Sequence, residues 1–516
     1  MKHSKLLALA VLLMVLLSSC GSAAMENAQF GEIRTEFNES LDLSEPEYLS
    51  PDGNSSEPIL LELENASLSG SARVVEDNEL SGSAGIFVGA DTDTAEISFS
   101  AASSGFYDIM VTIRSDDDGR TNALALDGER IGSLVSSGAG KEDILISSIY
   151  IEEGEHTLSI VSEWGWMEYD CVMIMPSTVD FSDIYNVTCG LSNENADDNT
   201  KRLYAFLCDI YGKYTLTGQF ADKGRESFEY QAIKKETGKE FCVLGLDVMN
   251  YSGTALEYGD GGGNSIEVAY DWSVNAGGIV QFCWHWHSPK GYIPEGKNWY
   301  SSFYTESSSV DIDSAMNGED EELYNLLLED IDRISEQLKR LQEYGVPVLW
   351  RPLHEASGGW FWWGSGSSES YIKLYRLMYD RMTNYHGLNN LIWVWNGQSK
   401  DWYPGDDVVD IISTDIYAGE RVYSSQVSSF IECADSSGER KLVALSENGC
   451  IPDPDLMKRD NAVWLYFGVW SGSYTVMWDD AVYNEQYTDL EMLKKVYNSE
   501  HTLTLDELPD LKNYPF

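Results

Sequence analysis

Basic residues are scarce in this sequence: 34 Lys and Arg stand against 85 Asp and Glu, a formal net charge of -51. A surface of that sign repels nucleic-acid phosphates and anionic lipid headgroups, and it suits a neutral or cationic ligand. Cysteine is sparse and unclustered. None of the eight forms a CxxC pair or a Cys/His set at zinc spacing, which removes the usual signatures of zinc and dithiol redox sites. Several thiols sit inside apolar runs, such as Cys242 in FCVLGL and Cys283 in VQFCW, and read as small buried hydrophobes. One disulfide, involving Cys433 and Cys450, is left open. No GxGxxG motif follows a strand and opens a helix, so nothing favours a dinucleotide fold. Beyond the first 20 residues, no apolar run is long enough to cross a bilayer.

What is present points elsewhere. A chain of 516 residues exceeds one ordinary core, so two or more domains are expected. Hydrophobic residues at 43% and charged residues at 23% give a globular balance. Aromatics reach 12%, including 16 Trp and 30 Tyr, and flat ring faces are what sugar rings stack on. At the N-terminus, Lys2 and Lys5 precede the apolar run Leu6–Leu17, which ends in LSSC and Gly21. This resembles the lipobox of bacterial lipoproteins. The resemblance implies a signal peptide over residues 1–20, lipidation of Cys20, and a protein outside the cell on its surface, meeting the membrane only through that lipid. Ordinary cleavage after Ala23 or Ala24, giving a freely secreted protein, is the alternative. Residues 21–56 are acidic and poor in aromatics, and they read as a flexible, solvated tether.

Residues 57–178 have an all-β texture. Short alternating segments (AEISFS, FYDIMVTIR, NALALDG, HTLSIVS, YDCVMIM) recur between Gly, Ser and Asp turns, which predicts a β-sandwich. LLELENASLSG, SGSAGIFVG and EWGWMEYDCVMI resemble carbohydrate-binding modules of the family 6 and family 35 type. In such modules acidic residues near the first and last strands hold a structural calcium. Glu62, Glu64 and Asp170 match those places, and hard carboxylate oxygens suit that ion; solvated strand charges are the competing reading. Trp164 and Trp166, before the last strand, are placed either to stack on sugar or to pack under the sandwich.

From residue 179 to 516 strands alternate with amphipathic helices. Eight strand-like segments stand out: YTLTGQF, FCVLGLDV, GIVQFCWHW, VPVLWRPL, NLIWVWN, VVDIISTDIY, LVALSEN and YTVMWDD. Most are continuous apolar runs, as parallel strands buried on both faces require. EELYNLLLEDIDRISEQLKRLQEYG, with Gly345 as its stop, and SYIKLYRLMYDRMTNYHG are the clearest helices. Eight such units predict a (β/α)8 TIM barrel preceded by the sandwich.

Barrel enzymes work at the C-terminal ends of their strands. Two carboxylates stand there: Glu355 after the fourth predicted strand and Glu447 in the seventh. A pair of carboxyl groups flanking one bond is the minimum equipment of glycoside hydrolysis, and it needs no cofactor. Arg351 shares a pleat face with Glu355 and could keep a neighbouring carboxylate ionised. WRPLHEASGGWFWWG and LSENG, supported by GQ at 218–219, CWHWHSP, STDIY at 413–417 and MWDD at 477–480, resemble glycoside hydrolase family 26. The resemblance implies a retaining mechanism, with Glu355 as acid/base and Glu447 as nucleophile. It further implies that His354 supports the acid, that Tyr417 hydrogen-bonds the nucleophile, and that His285, Arg351, Trp360 and Trp478 line the substrate subsites. Its commonest activity is endo-β-1,4-mannanase, so the implied partner is a β-mannan met by a monomer. The same machinery on mixed-linkage glucan or β-1,3-xylan, and a non-catalytic glycan-binding lipoprotein, are the alternatives; two intact glutamates weigh against the last. Within the motif, Gly358 and Gly359 free the turn that projects Trp360 as a sugar platform. The neighbouring rings lower the polarity around Glu355, with Trp362 and Trp363 taken as packing.

Overall fold

The computed structural model describes residues 31–38, 40–44, 57–90, 92–260, 262–477 and 480–516. The signal segment with Cys20, the tether residues 21–30 and 45–56, and Trp478 lie outside the described residues. Among the described residues no helix is long and apolar enough to cross a membrane.

The N-terminal module is two antiparallel sheets packed face to face. One carries Arg73–Glu76, Ala84–Val88, Met167–Pro176, Gly105–Ser115 and Gly140–Ile151 in that order, with Ile59–Glu62 on Met167–Pro176. The other carries Ser67–Ser69, Thr94–Ala101, Gly154–Trp164, Asp118–Leu126 and Glu129–Ser137. Alternation sets the inner faces. Val111 opposes Val172 in the first sheet, Leu158 lies between Ile97 and Leu126 in the second, and Ile109, Ile113, Leu124 and Ile160 are fully buried between the sheets.

The second domain is a closed barrel of eight parallel strands: β1 (Gly218–Phe220), β2 (Val243–Asp247), β3 (Ile279–Cys283), β4 (Val348–Arg351), β5 (Leu391–Trp395), β6 (Ile411–Ile416), β7 (Leu442–Asn448) and β8 (Phe467–Val469). Nearly every strand residue is buried, since side chains fill the barrel on one face and meet helices on the other. Helix Glu321–Glu343 shows how the sequence builds that outer layer. The Asp320 carboxylate caps it by accepting from the Leu323 amide at 2.9 Å, and Leu323, Leu327, Ile331, Ile334, Leu338 and Leu341 form its buried stripe. Each such aliphatic side chain contributes about 1.5–3 kcal/mol of burial. The chain reverses at Gly345, whose φ of 66° an L side chain adopts only with strain.

Three expectations change here. The eighth strand is Phe467–Val469, not the YTVMWDD segment, in which Val476 makes only an isolated bridge to Tyr483. YTVMWDD has the longer β-like run; the real strand is three residues long and includes Gly468, whose missing side chain lets it approach the Ser446 carbonyl on β7. Cys433 and Cys450 are free and buried, while Cys189 and Cys208 form the disulfide and tie the interdomain connection to helix Asp198–Ile210. The part of the tether seen here, residues 31–38 and 40–44, stays largely exposed but is not free, because Arg34, Phe37, Asn38, Leu41 and Leu43 are half-buried. The Arg34 amide donates to the Asn275 carbonyl at 2.7 Å, and its guanidinium donates to the Asp506 and Leu508 carbonyls at 3.2 and 2.9 Å while lying 4.6 Å over the Phe37 ring. Charge composition predicted self-repulsion; one arginine with an aromatic neighbour overrides it locally.

The module is fastened to the barrel by the helix Phe181–Tyr185. Phe181 packs on Phe106 of the module, and the Tyr185 hydroxyl bridges the Asn461 carbonyl and the Val463 amide of the barrel at 2.6 and 2.9 Å. Between β5 and β6 the chain makes only short turns where a barrel helix usually lies. Module strands Glu129–Ser137 and Gly140–Ile151 face that gap across a cleft of about 870 Å³.

Replacing Arg34 with alanine is expected to lower the stability of the barrel by about 1–2 kcal/mol, the worth of its charged hydrogen bonds. The midpoint of denaturant unfolding reads this, and a free tether would leave the midpoint unmoved.

Candidate active site

The mouth of the barrel is organised around a cation. Arg351, the last residue of β4, is completely buried. Its Nη1 donates to Asp415 Oδ2 at 2.7 Å and its Nη2 to Glu447 Oε2 at 2.6 Å. Burial works against the guanidinium charge, yet Asp415 and Glu447 together hold its pKa well above the ordinary value. Asp415 is fixed in turn on β6, accepting from Asn396 Nδ2 and the Ser446 hydroxyl, each at 2.8 Å. Glu447 receives its second donor from Tyr417, whose hydroxyl makes a short hydrogen bond to Oε1. Burial and that neighbouring carboxylate push the Tyr417 phenol far up, so it stays a donor.

Glu355 reaches the same place from a strained turn. Leu353 and Glu355 both have φ of 53°, a region sparsely used outside glycine, and the Glu355 amide is held by the Asn396 carbonyl at 2.7 Å. An oxygen of Glu355 lies within 4.8 Å of oxygens of both Glu447 and Asp415. Burial, then the charge of Glu447, raise the Glu355 pKa. Trp360 Nε1 donates to Glu355 Oε2 at 2.8 Å and works the other way. The two glycines of the motif have distinct duties. A Cβ on Gly358 would stand 2.0 Å from the Trp360 ring, and Gly359 has φ of 70°. Trp360 is thereby folded back over Glu355 while 46% of its surface stays exposed.

Behind this pair lies an aromatic wall. Trp362 and Trp363 are fully buried, their indole N–H groups donating to the Trp286 and His354 carbonyls at 2.6 and 2.8 Å. Phe361 stacks on Trp363 at 4.6 Å and stands 5.4 Å from the His285 ring. His285 Nδ1 meets Asp247 Oδ2 at 2.6 Å, which raises the imidazole pKa although burial opposes it. His285 Nε2 faces His354 Nε2 at 3.3 Å. Burial, with Arg351 and His285 nearby, lowers the His354 pKa well below normal and keeps that ring neutral.

The structure thus brings Glu355, Glu447, Tyr417, Trp360, His285, His354 and Arg351 into one region. Arg351 and His354, expected to line the groove or assist from it, lie beneath its surface at 0% and 1% exposure, so they position other groups. Asp222, just past β1, escaped the sequence reading. Burial, then Asp247 and Glu229, raise its pKa, so three carboxylates crowd one side of the mouth. Asn396, just past β5, fixes both Asp415 and the Glu355 amide, although nothing in the sequence distinguishes it from other strand ends.

In the module, Glu62 and Glu64 converge on Gly82, where a Cβ would stand 2.7 Å from Glu64 Oε1 and 4.0 Å from Glu62 Oε2. Glu62 Oε2 and Glu64 Oε2 are buried without a hydrogen-bond partner, the kind of orphaned hard oxygen a calcium ion satisfies. Asp170 is less available, since Lys141 Nζ and the Ser81 amide hold it at 2.6 and 2.8 Å. Trp164 and Trp166 are exposed, not packed under the sandwich, and the Arg120 guanidinium lies over both rings at 5.3 and 5.1 Å.

Residues 192–507 match the model of glycosyl hydrolase family 26, and residues 59–177 match that of carbohydrate-binding module family 35, which narrows the expected family 6 or 35 type to the latter. The chain is 39% identical over 453 residues to a mannan endo-1,4-beta-mannosidase of Thermothelomyces thermophilus, covering 87% of this chain and 90% of that protein. It is 32% identical to mannan endo-1,4-beta-mannosidase B of a Piromyces species, over 87% of this chain and 77% of the relative. Among solved structures, a Podospora anserina GH26-CBM35 beta-(1,4)-mannanase superimposes with a TM-score of 0.60 at 34% identity, covering 88% of this chain and 99% of that one.

Replacing Arg351 with methionine strands two buried carboxylates without a countercharge, and a loss of about 3–5 kcal/mol is expected in denaturant unfolding. Adding Asp415→Asn should recover part of that loss.

Proposed function

The chain belongs to glycosyl hydrolase family 26, and on that premise we propose that it hydrolyses the β-1,4-linked mannose backbone of mannans from within the polymer, with retention at the anomeric carbon. That it is a glycoside hydrolase follows from the family; the mannan backbone is supported by what its relatives are named for.

One observation carries the mechanism. Glu355 and Glu447 approach across a single mouth with oxygens within 4.8 Å, a spacing of the close kind that direct attack uses, not the wider gap that leaves room for a water. Glu447 Oε1 or Oε2 attacks the anomeric carbon from below. Arg351 and Tyr417 fix both oxygens and release one as the covalent bond forms. Glu355, whose pKa burial and the charge opposite raise, gives its proton to the glycosidic oxygen as that bond breaks. The aglycone leaves as an alcohol. Glu355, now a carboxylate, takes a proton from water, which attacks the same carbon and frees Glu447. Trp360 presents its open face to a pyranose, and Asp247, His285 and Asp222 offer hydrogen bonds to hydroxyls on one side. Trp478 would line the groove from the segment after β8.

Several finer readings belong to this proposal. The module holds the enzyme on its polymer through Trp164 and Trp166. Glu62 and Glu64, with Asp170, would hold a structural calcium that stiffens the loop at Gly82. Lipidation at Cys20 would keep the enzyme, a monomer, on the outer cell surface.

Reducing-sugar release from galactomannan, lichenan and xylan tests the substrate: galactomannan should dominate, and equal or greater release from lichenan would overturn the reading. Glu447→Ala should lose at least about 10³-fold in turnover while still binding mannan. The first product seen by proton NMR should be the β-anomer. Glu355 must be protonated for the first step, so activity falls as pH rises through its pKa. The Trp360 N–H favours the ionised form, and Trp360→Phe is therefore expected to move the alkaline limb of kcat/KM to higher pH. A limb that stays in place or moves down contradicts the acid role.

A further inference from the structure

Asp247 and Cys283 are register partners at the C-terminal ends of β2 and β3, and His285 stands two residues past Cys283 on the same face. One donor atom from each, a carboxylate oxygen, the thiol sulfur and an imidazole nitrogen, lies within 4.8 Å of the other two. Asp247 is the hub. Its Oδ1 accepts from the Met249 amide at 2.8 Å and the His285 amide at 3.2 Å, and its Oδ2 from His285 Nδ1 at 2.6 Å. Asp247 and His285 side chains are 14% and 13% exposed at the floor of the groove, with Cys283 buried beneath them.

From this geometry we infer that Asp247, Cys283 and His285 form a binding site for a zinc-class divalent cation, which inhibits the enzyme by occupying the floor of its sugar groove. The donor chemistry selects the ion. A thiolate, an imidazole and one carboxylate suit zinc, or cobalt in its place, over calcium and magnesium, which want oxygen alone. Zinc bonds of about 2.0–2.3 Å set tetrahedral donors roughly 3.3–3.7 Å apart, so the His285–Asp247 contact of 2.6 Å opens by about 0.7 Å. The fourth position then faces the groove and takes water.

Protons balance on binding. The Cys283 thiol proton leaves to solvent as the sulfur–metal bond forms. His285 gives up the proton on Nδ1, to solvent from the imidazolium or to its own Nε2 from the neutral ring. In either case Nε2–H remains and points at His354 Nε2, 3.3 Å away. Asp222 stands beside Asp247 and adds a second carboxyl group to that side of the mouth. The other carboxylate cluster of the mouth, Glu355 with Asp415 and Glu447, is already served by Arg351. The inhibitory consequence rests on the sugar-groove reading above, because the ion removes Asp247 and His285 from hydroxyl recognition. Binding itself does not rest on it.

The experiment uses the full chain, zinc chloride and cobalt chloride. Zinc should inhibit mannan hydrolysis reversibly, with EDTA restoring it. Measured against its own metal-free rate, Cys283→Ser should need at least ten-fold more zinc for half inhibition than the parent. Cobalt added to the parent should give a near-ultraviolet thiolate-to-metal band that Cys283→Ser lacks and Cys433→Ser keeps. Should the serine variant misfold by near-ultraviolet circular dichroism, Cys283→Ala takes its place. No cobalt band in the parent, or equal zinc sensitivity in both proteins, overturns the site. A band without inhibition would leave the metal site standing and overturn only the groove reading.

Discussion

A single buried guanidinium holds this active site together. Arg351 is desolvated at a cost that chiefly Asp415 and Glu447 offset, and each of those carboxylates would be costly in the barrel without it. The arrangement leaves Glu447 with both oxygens directed and one of them already facing a phenol. Glu355, which pairs with no cation of its own, is governed by burial and by the charge of Glu447. Two glutamates in one mouth thus stand in different surroundings, one on a buried cation and the other facing an indole, and a difference of environment is the general way a site obtains an acid and a nucleophile from the same side chain.

The scaffold explains why that placement is stable. β4, β6 and β7 deliver Arg351, Asp415 and Glu447 from different parts of the chain to one layer, and Asn396, just past β5, joins the layer to the turn carrying Glu355. The strain at Leu353 and Glu355 is held by this amide and by the aromatic wall behind, where indole N–H groups donate to main-chain carbonyls in place of water. Packing and polar satisfaction are here one task.

Much of this was legible in the sequence because parallel buried strands announce themselves as apolar runs, and because WRPLHEASGGWFWWG and LSENG put reactive groups at strand ends. Seven of the eight barrel strands fall inside such runs. The eighth did not, since a three-residue strand containing Gly468 carries too little signal beside the more β-like YTVMW. The strap at residues 31–44 was misread for a related reason: composition averages over a segment, whereas Arg34 and Phe37 act singly. Cys189 and Cys208 look no different from the other thiols until the fold brings them together. Asp222 and Asn396 became functional candidates only through neighbours far away in sequence.

The strap also sets a direction. Arg34 and Phe37 sit against Asn275 and Gly277, which lead into β3, and so grip the end of the barrel opposite the mouth. A pull on the N-terminal end reaches the molecule through its base. A support holding that end would leave the mouth facing away from it, where a long, stiff polymer can be laid across without first being threaded underneath.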